Sequence, residues 1–306
     1  MLGWLARNGR LVLIAGLVVG IAVPPLARAM QPLIVPLIVA MLFLASLRIG
    51  PDAARPRLRD VPGYLAVTVI LQMAMPLAAL GVLTLCGWQD SIVGLGVVLA
   101  LAASPITGSP GLAILSGADP MPALRALVVG TALLPLTVLP VFWLMPVFAD
   151  PAATLIAAGR LLAIIAAAGG GALLVRRVWP GLRTPRAQAR LDGLMALAMG
   201  LVVIALMSAV GPALVSGDPA LWWILALVLV LNFSTQLAVW GAFRGAGAAR
   251  QAPAMGIVAG NRNLALFLAA VPPGTAEELL LFVGCFQIPM YLTPLTLARL
   301  YARATP

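Results

Sequence analysis

The amino-acid sequence predicts an all-α polytopic membrane protein that crosses the bilayer ten times. The chain of 306 residues is 62% hydrophobic and only 9% charged, and its mean hydropathy is +1.09. Soluble domains carry about 25% charged residues. A helical crossing needs about 20 mostly apolar residues, and runs of that length recur along the chain. The charge between these runs alternates in sign, and the two halves of the chain share an internal offset.

Ten apolar runs divide the chain into spans. In the first half they lie at residues 11–27, 32–47, 63–86, 92–117 and 122–148, and in the second half at 153–175, 192–215, 220–243, 253–271 and 275–299. The first run follows Arg7 and Arg10, which is also how a signal peptide begins. Because no cleavage-site sequence is followed by a hydrophilic mature domain, we expect the first helix to be retained. Residues 1–306 are then one transmembrane unit with halves at about 11–148 and 153–303.

The connections between the spans alternate in charge. Basic residues precede span 1 and follow spans 2, 6, 8 and 10: Arg7, Arg10, Arg48, Arg55, Arg57, Arg59, Arg176, Arg177, Arg183, Arg186, Arg190, Arg244, Arg250, Arg299 and Arg303. Only acidic residues follow spans 3, 5, 7 and 9: Asp90, Asp150, Asp218, Glu277 and Glu278. Cytoplasmic loops carry an excess of basic residues, so the pattern predicts an even number of spans with both termini in the cytoplasm. We expect the membrane to be a bacterial inner membrane. Arg28, after span 1, is the one basic residue in a connection that the pattern places outside the cytoplasm.

Composition also excludes several classes of function. All 19 basic residues are arginine and the net charge is +10, which in a soluble protein would indicate nucleic acid. At the ends of membrane helices, arginines set topology and meet anionic lipid instead, so we expect the lipid bilayer as a partner and no nucleic acid. Histidine is absent, which removes the usual proton shuttle and metal ligand, and we expect no enzyme. Cys86 and Cys285 lie far apart, so we predict neither a disulfide nor a metal site.

The two halves carry matching features at a constant offset. Prolines 154 residues apart occur in spans 5 and 10: Pro135 with Pro289, and Pro140 with Pro294. The same offset carries Asn261–Asn263 in span 9 onto Thr107–Ser109 in span 4, inside the helix-breaking sequence ASPITGSPG. Because each half has an odd number of spans, the second half must be inverted relative to the first. The sequence therefore predicts two inverted five-helix repeats with interrupted helices 4 and 9.

Inverted repeats with interrupted helices are typical of secondary transporters. Unpaired backbone groups are tolerated at membrane depth only where they face protein or a watery cavity. Span 9 adds a charge at its interruption, in the sequence AGNRNL that contains Arg262, and an intramembrane charge is a functional-site hypothesis by default. An anion channel or passive pore is the alternative, although a channel would favour rings of charge repeated by oligomer symmetry. No oligomeric state is predicted.

Several local sequences resemble the bile acid:sodium symporter family. They are VILQMAMPLAAL in span 3, the Ser-Pro start of the interruption in span 4, the prolines of spans 5 and 10, and GNRNLAL in span 9. The resemblance implies a panel of helices 1, 2, 6 and 7 and a core of helices 3–5 and 8–10, with helices 4 and 9 crossing at their interruptions. It also implies that a small organic anion binds beside the crossing and is carried by alternating access. Sodium-coupled symport is the family's usual mechanism.

Residues that match or depart from the family pattern indicate the site. Gln72 matches a glutamine near one sodium ion, and Asn263 matches the asparagine that ends the span 9 interruption. The family's glutamate in span 9 falls at about Val258, its serine–asparagine pair falls near Pro110 and Gly111, and the span 5 hydroxyls are reduced to Thr131 and Thr137. The family's glutamine becomes Arg262. On this basis we predict the substrate-binding residues Arg262, Asn261, Asn263, Thr107, Ser109 and Asn232, and the ion-binding residues Gln72, Gln287 and Thr131.

These departures lead to a hypothesis about Arg262. Sodium prefers oxygen ligands with a balancing carboxylate, and the spans contain no secure interior carboxylate. A guanidinium, which stays protonated, could supply the positive charge that sodium supplies elsewhere, or could pair with the anionic substrate. The structural alternative is that Arg262 only donates to the carbonyl end of a half-helix. No cofactor is expected apart from sodium.

In span 8 we expect Asn232 and Gln236 to share a helix face, because they are spaced at i, i+4.

Overall fold

The described part of the protein is all-helical and rich in helices that could cross a membrane. A computed structural model describes residues 2–54, 60–148 and 150–302, and Arg55, Arg57, Arg59 and Arg303 lie outside these ranges. Within these ranges, seven helices are long and apolar enough to span a bilayer: Pro24–Ile49, Val61–Leu85, Pro120–Trp143, Pro151–Val178, Pro185–Ser216, Pro219–Gly245 and Pro273–Thr296. Together with the composition, they make the chain a polytopic integral membrane protein.

The elements follow one another with short connections. The first half contains α1 (Leu2–Arg7), α2 (Gly9–Ala22), α3 (Pro24–Met30), α4 (Ile34–Ala54), α5 (Val61–Val69), α6 (Met75–Leu85), α7 (Ile92–Ala102), α8 (Ser109–Leu115), α9 (Pro120–Thr137) and α10 (Leu139–Trp143). The second half contains α11 (Pro151–Val178), α12 (Pro185–Leu206), α13 (Val210–Ser216), α14 (Pro219–Gly245), α15 (Ala252–Gly260), α16 (Pro273–Thr296) and α17 (Ala298–Ala302). A π turn at Ile70–Ala74 joins α5 to α6, and a 3₁₀ segment at Leu264–Ala269 follows α15.

Four long helices begin with the same local signal, an acidic or hydroxyl residue followed by proline. The side chains of Asp119, Asp150, Thr184 and Asp218 accept hydrogen bonds from Met121, Ala152, Ala187 and Ala220, respectively, at 2.9–3.4 Å. Proline at the first helical position lacks an N–H group, but that group would have no partner within the helix in any case. The cap oxygen accepts a hydrogen bond from a backbone N–H that would otherwise have no partner. These pairs fix the starts of α9, α11, α12 and α14.

The first two predicted spans meet at a different residue from the one expected. The hydropathy places the first span at 11–27, whereas α2 ends at Ala22 and α3 begins at Pro24. Val23 between them leaves the helical region, with φ −123° and ψ 71°. The ring of a proline disfavours helical geometry in the residue before it, so Pro24 sets this boundary.

The π turn in the third span leaves one carbonyl without a donor in its own helix. Met75 N–H donates to Ile70 O, five residues earlier. In such a turn the donor for Leu71 O would be residue 76, and Pro76 has no N–H. The sequence QMAMP therefore leaves the Leu71 carbonyl available to a donor from elsewhere.

The helices pack in two groups. In one, α12 packs against α1, α2 and α4, and α11 packs against α4; in the other, α14 packs against α15 and α16, and α9 packs against α5, α8 and α15. The first group is joined at one end by an ion pair, Arg48 Nε to Asp192 Oδ1 at 2.6 Å. Glycines let α2 and α12 approach closely, since a Cβ on Gly16 would lie 2.7 Å from Gly200 O.

Candidate functional site

Two interrupted helices meet at the centre of the second group. Helix α7 ends at Ala102 and α15 ends at Gly260. The segments that follow them, whose backbone groups have no helical hydrogen bonds, pair with each other. Ile106 N donates to Asn261 O at 2.9 Å, and Asn263 N donates to Ser104 O at 2.8 Å. This antiparallel pairing satisfies backbone groups that would otherwise be unpaired at membrane depth.

The residue that Arg262 contacts in span 4 lies three positions before the residue that the constant offset makes its equivalent. The offset carried Arg262 onto Gly108, but the bridge joins Arg262 to Pro105. The start of α15 follows the start of α7 by 160 residues, whereas the paired prolines of spans 5 and 10 are 154 residues apart. The first half is therefore longer between these two markers, and no single offset fits the whole interval.

Arg262 lies inside the crossing and donates to three backbone carbonyls. Its side chain is fully enclosed, with 1% of the residue exposed. Nε donates to Ala259 O at 2.7 Å, Nη1 to Ala103 O at 3.0 Å and Nη2 to Leu71 O at 3.4 Å. These oxygens belong to the last turn of α15, the residue after α7 and the π turn, so one guanidinium joins three elements.

The acceptors of Arg262 are carbonyls that their own helices leave open. The usual donor for Ala259 O would be Asn263 N, which instead donates to Ser104 O. Leu71 O is left open by Pro76, and Ala103 follows the end of α7. Each helix C-terminus carries about −0.5 elementary charge, so the ends of α7 and α15 together roughly balance the +1 charge of Arg262. A buried charge without such compensation would be strongly unfavourable.

A second set of hydrogen bonds lies behind the crossing. Asn232 Nδ2 donates to Gly260 O at 2.7 Å, and Gln236 Nε2 donates to Asn232 Oδ1 at 2.6 Å, which confirms their predicted shared face. The Asn261 amide donates to Ile257 O, and its oxygen accepts weakly from Asn232 and Thr293 at 3.4 Å. Asn232 and Asn261, both predicted to bind substrate, are thus engaged in closing the end of α15.

The other face of the crossing lines a crevice. A small cavity of about 30 Å³ has the polar lining residues Thr107, Arg262, Asn263, Gln287 and Tyr291. A second, mostly apolar cavity of about 610 Å³ adjoins it, since both are lined by Ile106, Met199 and Tyr291. The large cavity extends between α8 and the start of the chain at α1 and α2. The structure therefore brings three of the residues predicted to bind substrate, Arg262, Asn263 and Thr107, into one lining with Gln287, which was predicted to bind an ion.

The remaining predicted residues lie apart from this crevice. Gln72, on the π turn, accepts a 3.0 Å hydrogen bond from Thr137 Oγ1, and Thr131 is buried within α9. Ser109 begins α8, is fully buried, and its hydroxyl has no hydrogen-bond partner among the described residues; the same is true of Ser104. Within residues 2–54, 60–148 and 150–302, no group of three or more His, Cys, Asp or Glu could hold a metal ion.

Three contributors were missed by sequence reasoning. Tyr291 lines both parts of the crevice. The feature that could have indicated it is its position between Pro289 and Pro294, two prolines inside α16. Thr293 and Tyr301 extend the set behind the crossing, where Gln236 donates to Thr293 Oγ1 at 2.9 Å and accepts from Tyr301 Oη at 3.1 Å. The open carbonyl of Leu71 had no such signal, because in a regular α-helix Pro76 would leave Gln72 O open, and only the π turn moves the open acceptor to Leu71.

The comparisons with known proteins add no relative to this description. A scan against models of protein families finds none that matches the chain, and a search of curated proteins finds no match. The residues of the crossing and its crevice are therefore the basis for assigning a function.

Proposed function

We propose that this protein is a secondary transporter of an organic anion, similar to the bile acid:sodium symporters, that works by alternating access. On this proposal the chain crosses the membrane ten times as two inverted halves, with the α11–α13 and α1–α4 group as panel and the other group as core. The observation that carries the proposal is Arg262, a fully enclosed cation at the crossing of two interrupted helices. Discontinuous helices of this kind form the central sites of secondary transporters.

Matching helix ends support the two-repeat organisation. Gly87 and Gly247 have left-handed backbones, with φ of 71° and 76°, and each lies five residues before an interrupted helix, α7 or α15. The residue after each glycine donates to the carbonyl five residues earlier, Trp88 to Leu83 and Ala248 to Phe243. This is one helix-ending motif, and glycine suits it because it adopts positive φ without steric penalty. The same motif also follows α8 at Gly117 and α13 at Gly217, so it is the equal five-residue distance from Gly87 and Gly247 to an interrupted helix that supports a repeated unit.

The contacts of Arg262 support its role as a replacement for a bound cation. A sodium ion would be held by oxygen ligands such as backbone carbonyls. At this crossing the carbonyls of Leu71, Ala103 and Ala259 already accept from the guanidinium. Arginine stays protonated under all ordinary conditions, so the positive charge is permanent. We therefore infer transport that does not require a sodium gradient.

The crevice supports an amphipathic anion as substrate. A guanidinium has five N–H groups, and three of those in Arg262 are used by the backbone. The other two, with Thr107, Asn263 and Gln287 around the small cavity, could receive an acidic head group. The adjoining cavity of about 610 Å³ is mainly apolar and would receive the body of the molecule.

Transport into proteoliposomes tests this proposal. Uptake of radiolabelled organic acids by the purified protein should be equal with sodium and with potassium as the only cation. Arg262→Gln should lower uptake at least about tenfold, and sodium should raise the melting temperature of this variant but not of the parent protein, because the vacated carbonyls become available. Arg160→Gln changes an exposed arginine of α11 and should have neither effect. Strict sodium dependence of the parent, or full uptake by Arg262→Gln, would disprove the replacement of sodium.

Two alternatives are separated in the same vesicles. Conventional sodium-coupled symport is favoured by the buried hydroxyls of Ser104 and Ser109, which have no hydrogen-bond partner among the described residues and could face an ion. It requires the sodium dependence that we do not expect. An anion channel or passive pore would show no stimulation of uptake by unlabelled substrate inside the vesicle, whereas a carrier should show it.

A further inference from the structure

A third cavity lies inside the second helix group and is separate from the crevice. It has a volume of about 700 Å³, well within the range of small-molecule sites. Its lining comes from the starts of α5, α9 and α15 and from the end of α14. None of its lining residues lines either part of the crevice. A ligand here would therefore not occupy the proposed transport site.

Among the residues that the structure describes, the lining of this cavity contains charged side chains of both signs in equal number. They are Asp60, Asp119, Arg125 and Arg250. Arg125 Nη1 lies 3.8 Å from Asp60 Oδ2, a loose ion pair in which both side chains remain partly exposed. The Arg125 side chain is 24% exposed, and Arg250 is exposed. The arginines thus retain donors that an anionic group could use.

The lining also contains hydrogen-bond acceptors and apolar side chains. Asp119 Oδ1 caps α9 by accepting from Met121 N at 2.9 Å, and a carboxylate has further acceptor capacity. Val67, Phe243 and Met255 supply apolar wall between the charged groups. A ligand with a net charge of either sign would meet two like charges in this cavity. A ligand carrying both charges, joined by a short aliphatic link, would meet partners for each.

We propose that the cavity binds a zwitterion in which a short link joins an ammonium group to a phosphodiester. The phosphodiester contacts Arg125 and Arg250, and the ammonium contacts Asp119 and Asp60. Two sources supply this chemistry, a free solute and the headgroup of phosphatidylethanolamine. The positive-inside pattern assigns Arg250 to the cytoplasmic side, where basic pockets between membrane helices receive lipid headgroups.

Calorimetric binding to the detergent-solubilised protein tests the proposal with matched probes. Glycerophosphoethanolamine should bind, whereas glycerophosphoglycerol, which keeps the phosphodiester and lacks the ammonium, and ethanolamine, which lacks the phosphodiester, should each bind at least about tenfold more weakly. Arg250→Gln should weaken binding of the zwitterion. Asp119→Asn keeps the helix cap, since asparagine caps as well as aspartate, but should abolish the preference for the ammonium-bearing probe. Arg190→Gln, an exposed arginine of α12, should leave binding unchanged.

The source is identified by repeating the measurement in lipid. If phosphatidylethanolamine in nanodiscs stabilises the protein relative to phosphatidylglycerol and prevents added glycerophosphoethanolamine from binding, and Arg250→Gln removes the stabilisation, the ligand is the headgroup. If glycerophosphoethanolamine still binds saturably in phosphatidylethanolamine nanodiscs, the ligand is a solute. Equal binding of glycerophosphoglycerol and glycerophosphoethanolamine would overturn the proposal in favour of a simple anion site. Failure of both the probe and the lipid to stabilise the folded protein would overturn it entirely. None of these readouts involves transport.

Discussion

Arg262 and Pro76 act together although 186 positions separate them in the chain. Pro76 deprives Leu71 of a helical donor, and Arg262 provides one from another element. The other two carbonyls bound by Arg262 lie at helix ends, where partial negative charge accumulates. A charge that is costly in an apolar helix is thereby placed where the backbone itself is most negative.

Asn232 offers a test of structural against substrate-binding roles. Asn232→Ala leaves Gly260 O without its side-chain donor and the Gln236 amide with only Thr293 Oγ1 as acceptor, and should lower the free energy of unfolding by about 1–3 kcal/mol. Substrate affinity should stay unchanged, since Asn232 lines neither part of the crevice. Ser234→Ala, an exposed position on the same helix, should cost less than about 0.5 kcal/mol. Thermal unfolding and uptake KM check both points, and a raised KM without lost stability would contradict the structural role.

Local patterns predicted where helices are interrupted better than they predicted what the residues at the interruptions touch. The i, i+4 spacing of Asn232 and Gln236 was enough to predict their contact, because it depends only on helix geometry. The partners of Arg262 were not predictable, since Ala103 O is 159 positions away and is an open acceptor only because a helix ends there. Side-chain sequence carries little information about which backbone carbonyl is left open.

Helices of this protein approach another backbone in two different ways, one at the interrupted helices and one between α2 and α12. At the crossing, α7 and α15 stop and their extended residues pair directly. Along α2 and α12, the helices continue and glycines allow the contact. Hydropathy located both regions but not their boundaries, because prolines such as Pro24 end a helix inside an apolar run.

The glycine contact can be tested at Gly16. An added Cβ would lie 2.7 Å from Gly200 O, so Gly16→Ala must push α2 away from α12 and should destabilise the protein by about 1–3 kcal/mol. Gly170→Ala on α11 adds a Cβ with no heavy atom within 4 Å and should be neutral or stabilising by less than about 1 kcal/mol. Melting temperatures in the same detergent compare the two, and equal melting temperatures would show that α2 and α12 are not held in this contact.

For the whole molecule, the crevice opens toward the end of the bundle where α1 begins. On the proposed transport function, and with both termini cytoplasmic as the charge pattern predicts, the structure would correspond to an inward-open state. Such an arrangement requires water in the crevice and lipid on the outer helix faces.

Cysteine labelling tests that arrangement. In a Cys86→Ser background, Gly111→Cys places a thiol in the crevice and Gly81→Cys places one on the exposed face of α6, and at both positions a Cβ meets nothing within 4 Å. A membrane-impermeant maleimide should label Gly111→Cys from the cytoplasmic side, and a transported anion should slow that labelling. Gly81→Cys should remain unlabelled. Labelling of Gly111→Cys only from the opposite side would reverse the assigned orientation.

The three carbonyls held by Arg262 also have a consequence for how the protein is made. Leu71 precedes Arg262 by 191 positions and Ala103 by 159. At a translation rate of about 5–20 residues per second, Leu71 is synthesised about 10–40 s before its donor. The amino-terminal half therefore waits in the bilayer with open acceptors until Arg262 has been synthesised. An insertion chaperone or neighbouring lipid that shields those acceptors during this interval would then govern the yield of folded protein.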